Sequence, residues 1–322
     1  MILDEYQLQQ NIDCRYYVPN EFNPVFAQKE QSQCLSFLHC NSRSLSKSFD
    51  NFNVLLSSFK FDCSIIGISE TWLNANSPPL FLIEGYQLVR KDRQNGRGGG
   101  VLFYVSDKIS FKIREDLSFQ SQSAELLCIE IDLSSDKNFI VCVMYRPPHT
   151  DIDTFLTDFD LLLAAINNSD KSVCIMGDFN VDLLAENVNT LRFQNILDSN
   201  AFHAMIDKPT RISDHSSTLL DNIFVKTSKG YSQSGLFYSE ISDHLPVFCM
   251  LYDIHFNRLA EKKNVEKRKF TEGNIASLND AYLSESWSDV LECSDVERAF
   301  ELFSMKFSHH FDRIIPFVKI SN

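Results

Sequence analysis

Residues 126–145 read LLCIEIDLSSDKNFIVCVMY. Two apolar runs, Leu126 to Leu133 and Phe139 to Tyr145, are rich in β-branched and aromatic side chains, and only a short polar link through Ser134-Ser135-Asp136 separates them. Runs of this length and composition favour buried strands over fragments of helix. A direct link between two strands implies antiparallel pairing, because a parallel pair needs a crossover of a dozen residues or more. Working outward, similar runs recur at Leu35 to His39, Cys63 to Ser69, Val101 to Val105, Ser172 to Met176, Leu220 to Val225 and Val247 to Tyr252. Between some of them, Phe49 to Phe59, Ile152 to Ile166 and Leu191 to Asn200 return an apolar residue every three or four positions, the spacing of a helix with one buried face. Strands and helices therefore alternate, though not strictly, and mixed sheets in an α/β fold are expected.

The flanks have a different texture. Residues 1–33 are polar and rich in Gln and Asn without a sustained period, which predicts a disordered or loosely packed leader. After Asp253 comes a Lys/Glu/Arg-rich stretch, Glu261 to Lys269, and then amphipathic segments around Ile275 to Leu283 and Val296 to Phe311. Residues 254–322 thus read as a charged linker and a small helical tail, and 34–253 as the main domain.

Composition sets limits on function. With 322 residues, 44% of them hydrophobic, one large core can be buried, and no apolar run reaches the length of a membrane span. The N-terminus lacks the basic and then apolar start of a signal peptide, so an intracellular protein with no membrane partner is expected. Nine cysteines lie in apolar contexts without metal-ligand spacing and read as reduced core residues. The net charge of −13 argues against strong non-specific affinity for nucleic acid, although bound divalent ions reverse the field locally.

Polar residues gather at the strand ends. Asn41 follows the first run, Glu70 the second, Tyr145 closes a third, and Asp178 and Asn180 follow Ser172 to Met176. Asp221 lies inside a later run, Leu219 to Val225, and Asp243 and His244 precede the last. Each alone is an ordinary turn or cap residue, but ligand sites of layered α/β folds form where such ends converge. In-line hydrolysis of a phosphodiester needs a cation for charge on the non-bridging oxygens, an activated water and a stabilised leaving alkoxide. Glu70 and Asp243 suit Mg²⁺, Asp178 with Asn180 suits the water, and His244 supported by Asp221 can stay cationic against a phosphate. The glycine cluster Gly96-Arg97-Gly98-Gly99-Gly100 lacks a following Lys-Ser/Thr and reads as a turn or substrate-side loop. His309-His310 reads as a satisfied surface pair.

Taken in order, Asn41-Ser42-Arg43-Ser44-Leu45, Ser69-Glu70-Thr71-Trp72, Tyr145-Arg146-Pro147, Gly177-Asp178-Phe179-Asn180, Leu220-Asp221-Asn222-Ile223-Phe224 and Ser242-Asp243-His244-Leu245-Pro246 resemble the motif set of the endonuclease/exonuclease/phosphatase superfamily. The wording Asn-x-Arg-Ser-Leu, Glu-Thr-Trp-Leu and Tyr-Arg-Pro-Pro is similar to the apurinic-like endonuclease domains of non-LTR retrotransposons of the jockey and chicken-repeat type.

The resemblance implies a four-layer α/β sandwich of two mixed β-sheets flanked by helices, DNase I-like, with a small helical C-terminal tail. It implies metal coordination by Glu70 with Asn41 and Asp243, with Mg²⁺ as cofactor and Mn²⁺ as a substitute. Asp178 and Asn180 would activate water, Tyr145 and His244 would contact phosphate, and Asp221 would support His244. Thr210 stands where relatives carry a substrate-side hydroxyl. Arg43 stands where apurinic-site enzymes often have an Asp, which puts a second metal in doubt and makes Arg43 a candidate substrate contact. The function implied is nicking of target DNA for target-primed reverse transcription, in the nucleus if genomic DNA is the substrate. A full-length relative would add element RNA or a polymerase domain as partners, and the chain reads as a fragment lacking that polymerase. Two alternatives stay open: a phosphatase on a small substrate such as an inositol phosphate, and a decayed copy acting as an interaction module.

Overall fold

A computed structural model of the chain describes residues 14–19, 21–22, 34–77, 81–94, 96, 98–119, 121, 123–133, 138–167, 171–227, 232–252, 254, 264–268 and 270–321. The strands in chain order are β1 (Arg15–Tyr17), β2 (Cys34–Asn41), β3 (Ile65–Ser69), β4 (Tyr86–Lys91), β5 (Val101–Ser106), β6 (Phe111–Ile113), β7 (Glu125–Ile131), β8 (Phe139–Tyr145) and β9 (Val173–Asp178). They continue as β10 (His203–Ala204), β11 (Arg211–Ile212), β12 (Ser217–Thr218), β13 (Asp221–Lys226), β14 (Ser232–Phe237), β15 (Val247–Tyr252), β16 (Asn264–Arg268) and β17 (Phe317–Ser321). The helices are α1 (Leu45–Ser58), α2 (Ile152–Asn167), α3 (Val188–Ser199), α4 (Glu272–Ser284), α5 (Ser288–Leu291) and α6 (Val296–Ile314).

The larger of two compact units, Met1–Leu73 with Ile83–Arg258, carries both main sheets. One has the order β1-β14-β15-β2-β3-β5-β4, the other β10-β13-β9-β8-β7-β6. Both are mixed: β2 and β3 are parallel, as are β8 and β9, while β7 and β8 pair antiparallel across the short link that the sequence predicts. Central strands such as β8 are buried on both faces, which is why they read as unbroken apolar runs and not as an alternation.

Between the sheets lie Phe37, Ile65, Phe103, Val141, Val143, Met176, Ile223 and Cys249. Gly67 lets the two layers close, since a Cβ there would come within 2.7 Å of Met176 Sδ and 3.1 Å of Val143 Cγ2. On the outer face of the second sheet, α2 and α3 pack Phe155, Phe159, Leu163 and Phe193 against Phe179 and Phe224. Phe52 of α1 stacks on Tyr104 of β5 with ring centroids 6.2 Å apart. The expected sandwich of two mixed sheets flanked by helices is therefore the architecture found.

Two readings of the sequence need correction. Within the segment read as a loose leader, Arg15–Tyr17 adds a parallel edge strand to β14, and Cys14, Tyr17 and Phe22 are buried. Phe22 packs edge-on against Phe237 and Phe248, with centroids 4.7 and 4.8 Å away, while most of the rest of the segment read as a leader lies outside the described residues. Among the nine cysteines, Cys128 and Cys142 face each other across β7 and β8 and form a disulfide, because the antiparallel register sets them directly opposite. The other seven are not in disulfides.

The smaller unit, Asn74–Leu82 with Leu259–Asn322, combines the antiparallel pair β16–β17 with α4, α5 and α6. Phe303, Phe307 and Phe311 recur every fourth residue along α6 and stack on one another, and Tyr282 of α4 stacks on Phe307 at 5.0 Å. A small helical C-terminal region is thus present, with a strand pair added to it. Among the described residues no helix is long and apolar enough to cross a membrane.

Candidate active site

One edge of the two sheets collects the polar strand ends. Register sets Asn41 opposite Ser69, Tyr145 opposite Asp178, and Asp178 opposite Asp221. Because β13 runs antiparallel to β9, its first residue meets the last residue of its neighbour. β15 runs antiparallel to β2 in the same way, so its entry segment brings Asp243 and His244 to the same edge.

Here the backbone turns sharply. Arg43 (φ 42°), Ser44 (φ 96°), Glu70 (φ 51°), Trp72 (φ 55°) and Asn180 (φ 46°) occupy the left-handed region, at a cost of about 1–3 kcal/mol for each non-glycine residue. Crossed hydrogen bonds hold these turns. Ser44 N donates to Glu70 O at 2.9 Å and Trp72 N to Gly99 O at 2.8 Å, while Arg146 Nη1 donates to Asn180 O at 3.0 Å and Asn180 Nδ2 to Arg146 O at 2.7 Å. The glycine loop fits tightly over this corner. Gly100 sits at φ 84°, and a Cβ on it would collide with Thr71 Oγ1.

Two carboxylates are joined by one amide. Asn41 Nδ2 donates to Glu70 Oε1 at 3.0 Å and to Asp178 Oδ2 at 2.8 Å. Trp72 Nε1 donates to the other Glu70 oxygen at 3.0 Å. Asp178 also accepts from Asn180 N at 3.0 Å and from Asn180 Nδ2 at 3.2 Å. Burial, and then the nearby Asp221 carboxylate, push the Asp178 carboxyl well above the usual range. Tyr145 is pushed up by burial and then by the charges of Glu70 and Asp178, so its phenol keeps its proton.

Beside this pair lies an Asp-His couple. His244 Nδ1 is 2.7 Å from Asp221 Oδ2, an oxygen that also accepts from Thr210 Oγ1 at 2.8 Å. Burial opposes charge on His244, but Asp221 outweighs it and raises the imidazole to about 9. Burial likewise opposes charge on Asp221, and the His244 imidazolium holds its carboxyl low. A second histidine, His39, approaches the other Asp221 oxygen at 3.7 Å and pairs through Nε2 with Ser69 Oγ at 3.1 Å. Burial drives it down to about 4, so it is neutral.

The donor set fits a hard divalent cation. Asp178, Asp221 and His244 each offer a ligand atom within 4.8 Å of one another. They do not make a closed ligand set, because a protonated His244 has no lone pair to give and its Nδ1 is engaged with Asp221. The carboxylate oxygens of Glu70 and Asp178, which share the Asn41 amide, form a second candidate seat.

Three of the expected site residues have further partners in this structure. The Asn41 carbonyl oxygen accepts from Arg43 N at 3.0 Å, which takes one of its two lone pairs, while the amide nitrogen braces the two carboxylates. Asp243, expected to coordinate metal, is gripped by Arg211 Nη2 at 2.7 Å and Arg43 Nη1 at 3.2 Å. Thr210 is fully buried, and its hydroxyl also accepts from Leu220 N and Asp221 N at 3.1 Å, which leaves nothing for a substrate. Arg43 is exposed at the mouth of the cluster. Trp72, His39, Arg146 and Arg211 were not singled out from the sequence. Trp72 and Arg146 lie inside quoted motifs, but their value is as donors to atoms fixed only by the fold, and His39 sits within an apolar run.

Residues 34–244 match the Endonuclease/Exonuclease/phosphatase family. No curated protein sequence matches the chain. Among solved structures, the endonuclease domain of TRAS1, a telomere-specific non-LTR retrotransposon, has a TM-score of 0.53 at 11% identity, covering 68% of this chain and 99% of that one. The Xenopus laevis APE2 catalytic domain gives 0.53 at 17% identity over 70% of this chain and 94% of its own. The 3′ phosphatase NExo from Neisseria, bound to a product DNA hairpin, gives 0.52 at 14% identity over 67% and 98%. At these identities the likeness is one of fold.

Proposed function

The chain belongs to the endonuclease/exonuclease/phosphatase family, whose members are divalent-metal-dependent hydrolases of phosphodiester bonds, and from that premise we propose that it is a Mg²⁺-dependent endonuclease that nicks DNA. The observation that carries this reading is the Glu70–Asn41–Asp178 bridge set beside the Asp221–His244 couple. These side chains together offer each group that in-line hydrolysis requires, with Asp178 serving both the ion and the water.

Glu70 and Asp178 would hold the ion, Mg²⁺ or Mn²⁺, which when bound supplies positive charge to the phosphate oxygens and the leaving alkoxide. Asp178, oriented by Asn41 and Asn180, lines up the attacking water and takes its proton. His244, kept cationic by Asp221, donates from Nε2 to a non-bridging oxygen, and the Tyr145 phenol donates to another. Arg43 contacts the substrate backbone from the rim. The retroelement reading, in which the new 3′ hydroxyl primes reverse transcription, is supported by the wording of the motifs and by the fold shared with the TRAS1 domain.

The test is a side-by-side assay of supercoiled plasmid and an inositol polyphosphate with Mg²⁺. Conversion of plasmid to open circles carrying 3′ hydroxyls, with no phosphate released from the inositol substrate, is expected. Phosphate release without nicking would replace this reading by a small-substrate phosphatase.

A further inference from the structure

Arg43 and Arg211 bind the same carboxylate from two directions. Arg211 directs Nε (2.9 Å) and Nη2 (2.7 Å) at Asp243 Oδ2, and Arg43 places Nη1 3.2 Å from Oδ1. Two guanidiniums on one carboxylate leave a net positive charge, in a chain whose total is −13. Both remain open to solvent, with side chains 59% exposed for Arg43 and 47% for Arg211. A guanidinium has five N–H donors in a fixed fork, so most of theirs are not spent on Asp243.

Their backbones are held in place. Arg43 sits at φ 42° with its N–H donating to Asn41 Oδ1, and Arg211 pairs in a β-bridge with His244, next to the Leu245 N to Thr210 O bond at 2.7 Å. Arg43 therefore starts two residues from Asn41, which bonds both Glu70 and Asp178, and Arg211 starts across a β-bridge from His244, a group assigned to the reacting phosphate. A divalent ion bound through Asp243 would sit within a few ångströms of two permanent positive charges, and repulsion at that range is strong.

We propose that Arg43 and Arg211, fastened on Asp243, take the place of a second divalent ion in this site and form a seat for a backbone phosphate adjoining the one that reacts. The inference rests on the nuclease reading and narrows it. The site holds a single ion, and its substrate is a strand with at least two consecutive phosphates and not a small monoester. Asp243 acts as a positioning residue for the arginines.

Two measurements on the full chain test this. Mn²⁺ counted by electron paramagnetic resonance should saturate at one ion per wild-type chain. Binding of a duplex oligonucleotide in Ca²⁺, followed across salt concentrations, should lose slope in an Arg43→Gln/Arg211→Gln double variant by about 0.9, the value for one neutralised phosphate. An unchanged melting temperature would show the variant folded, and Arg43→Lys/Arg211→Lys, which keeps charge but loses the fork, should recover most of that slope. Two ions per wild-type chain, or an unchanged slope in the Gln variant, would overturn the inference alone. A wild type that binds no divalent ion would overturn the nuclease reading along with it.

Discussion

His215 and His244 each follow a Ser-Asp pair in the sequence, yet the fold gives them opposite settings. His215 lies on the exposed turn between β11 and β12, where Ser213 and Ser216 close the loop. His244 is buried with Nδ1 against Asp221. Replacing His244 by Ala would strand a buried carboxylate, a loss of about 3–5 kcal/mol for a fully buried pair, and would blur activity with stability. His244→Asn is the cleaner variant, since its amide keeps a donor near the Nδ1 position. It should lower nicking about 10²–10³-fold, the usual cost of one donor to a developing oxyanion, with little change in melting. His215→Ala should retain most of the wild-type rate. Plasmid nicking by the two purified variants checks this, and an inactive His215→Ala beside an active His244→Asn would move the site elsewhere.

At the scale of elements, what the sequence made legible follows from where each strand gets its partners. Phe139–Tyr145 and Val247–Tyr252 are buried throughout, and their limits could be read directly from apolar runs. β4 is half-buried along its length and β14 begins Ser232-Gln233-Ser234-Gly235, so neither has an apolar signature. Tertiary partners decide such strands: Ser234 is buried because its hydroxyl donates to Met205 O. The site residues were legible as types at strand ends, whereas the roles of Asn41, Asp243 and Thr210 depend on which neighbour claims each polar atom, and spacing does not encode that. Glu130 on β7 makes the same point about stability. It is buried, yet it takes Arg114 Nη1 at 2.6 Å, Lys171 Nζ at 2.8 Å and Asn138 Nδ2 at 2.9 Å. Burial alone would raise its carboxyl, but these donors outweigh it and hold the group down at about 2. A folded-state value below the ordinary 4.5 means that its contribution is fully present above that value and is lost as pH falls through about 2. Glu130→Gln should therefore cost about 1–3 kcal/mol at pH 7, less than a fully buried pair because its cationic partners are partly in water. Denaturant melts of both proteins should show the difference shrinking below pH 4.5. A difference that holds constant down to pH 2 would contradict this account of the cluster.

For the whole molecule, the formal charge of −13 overstates the negative surface that DNA would meet. Glu125, Glu130, Asp178 and Asp221 are buried, and Glu125 and Glu130 are paired with cations in the larger unit. With a net charge of −13, attraction to DNA is expected to depend on local arginines at the rim and should fade quickly with salt. In the proposed mechanism, by contrast, catalysis rests on the corner where the Asn41 amide bonds both Glu70 and Asp178. The most direct test of that claim is the rate of plasmid nicking by the full chain as Mg²⁺ is titrated, with and without excess EDTA, for the wild type and for Glu70→Gln. The wild type should nick in proportion to bound ion and fall silent in EDTA, and Glu70→Gln should be slower by about 10²–10³-fold or more at every Mg²⁺ concentration. Nicking that survives chelation, or a Glu70→Gln rate equal to wild type, would contradict the account.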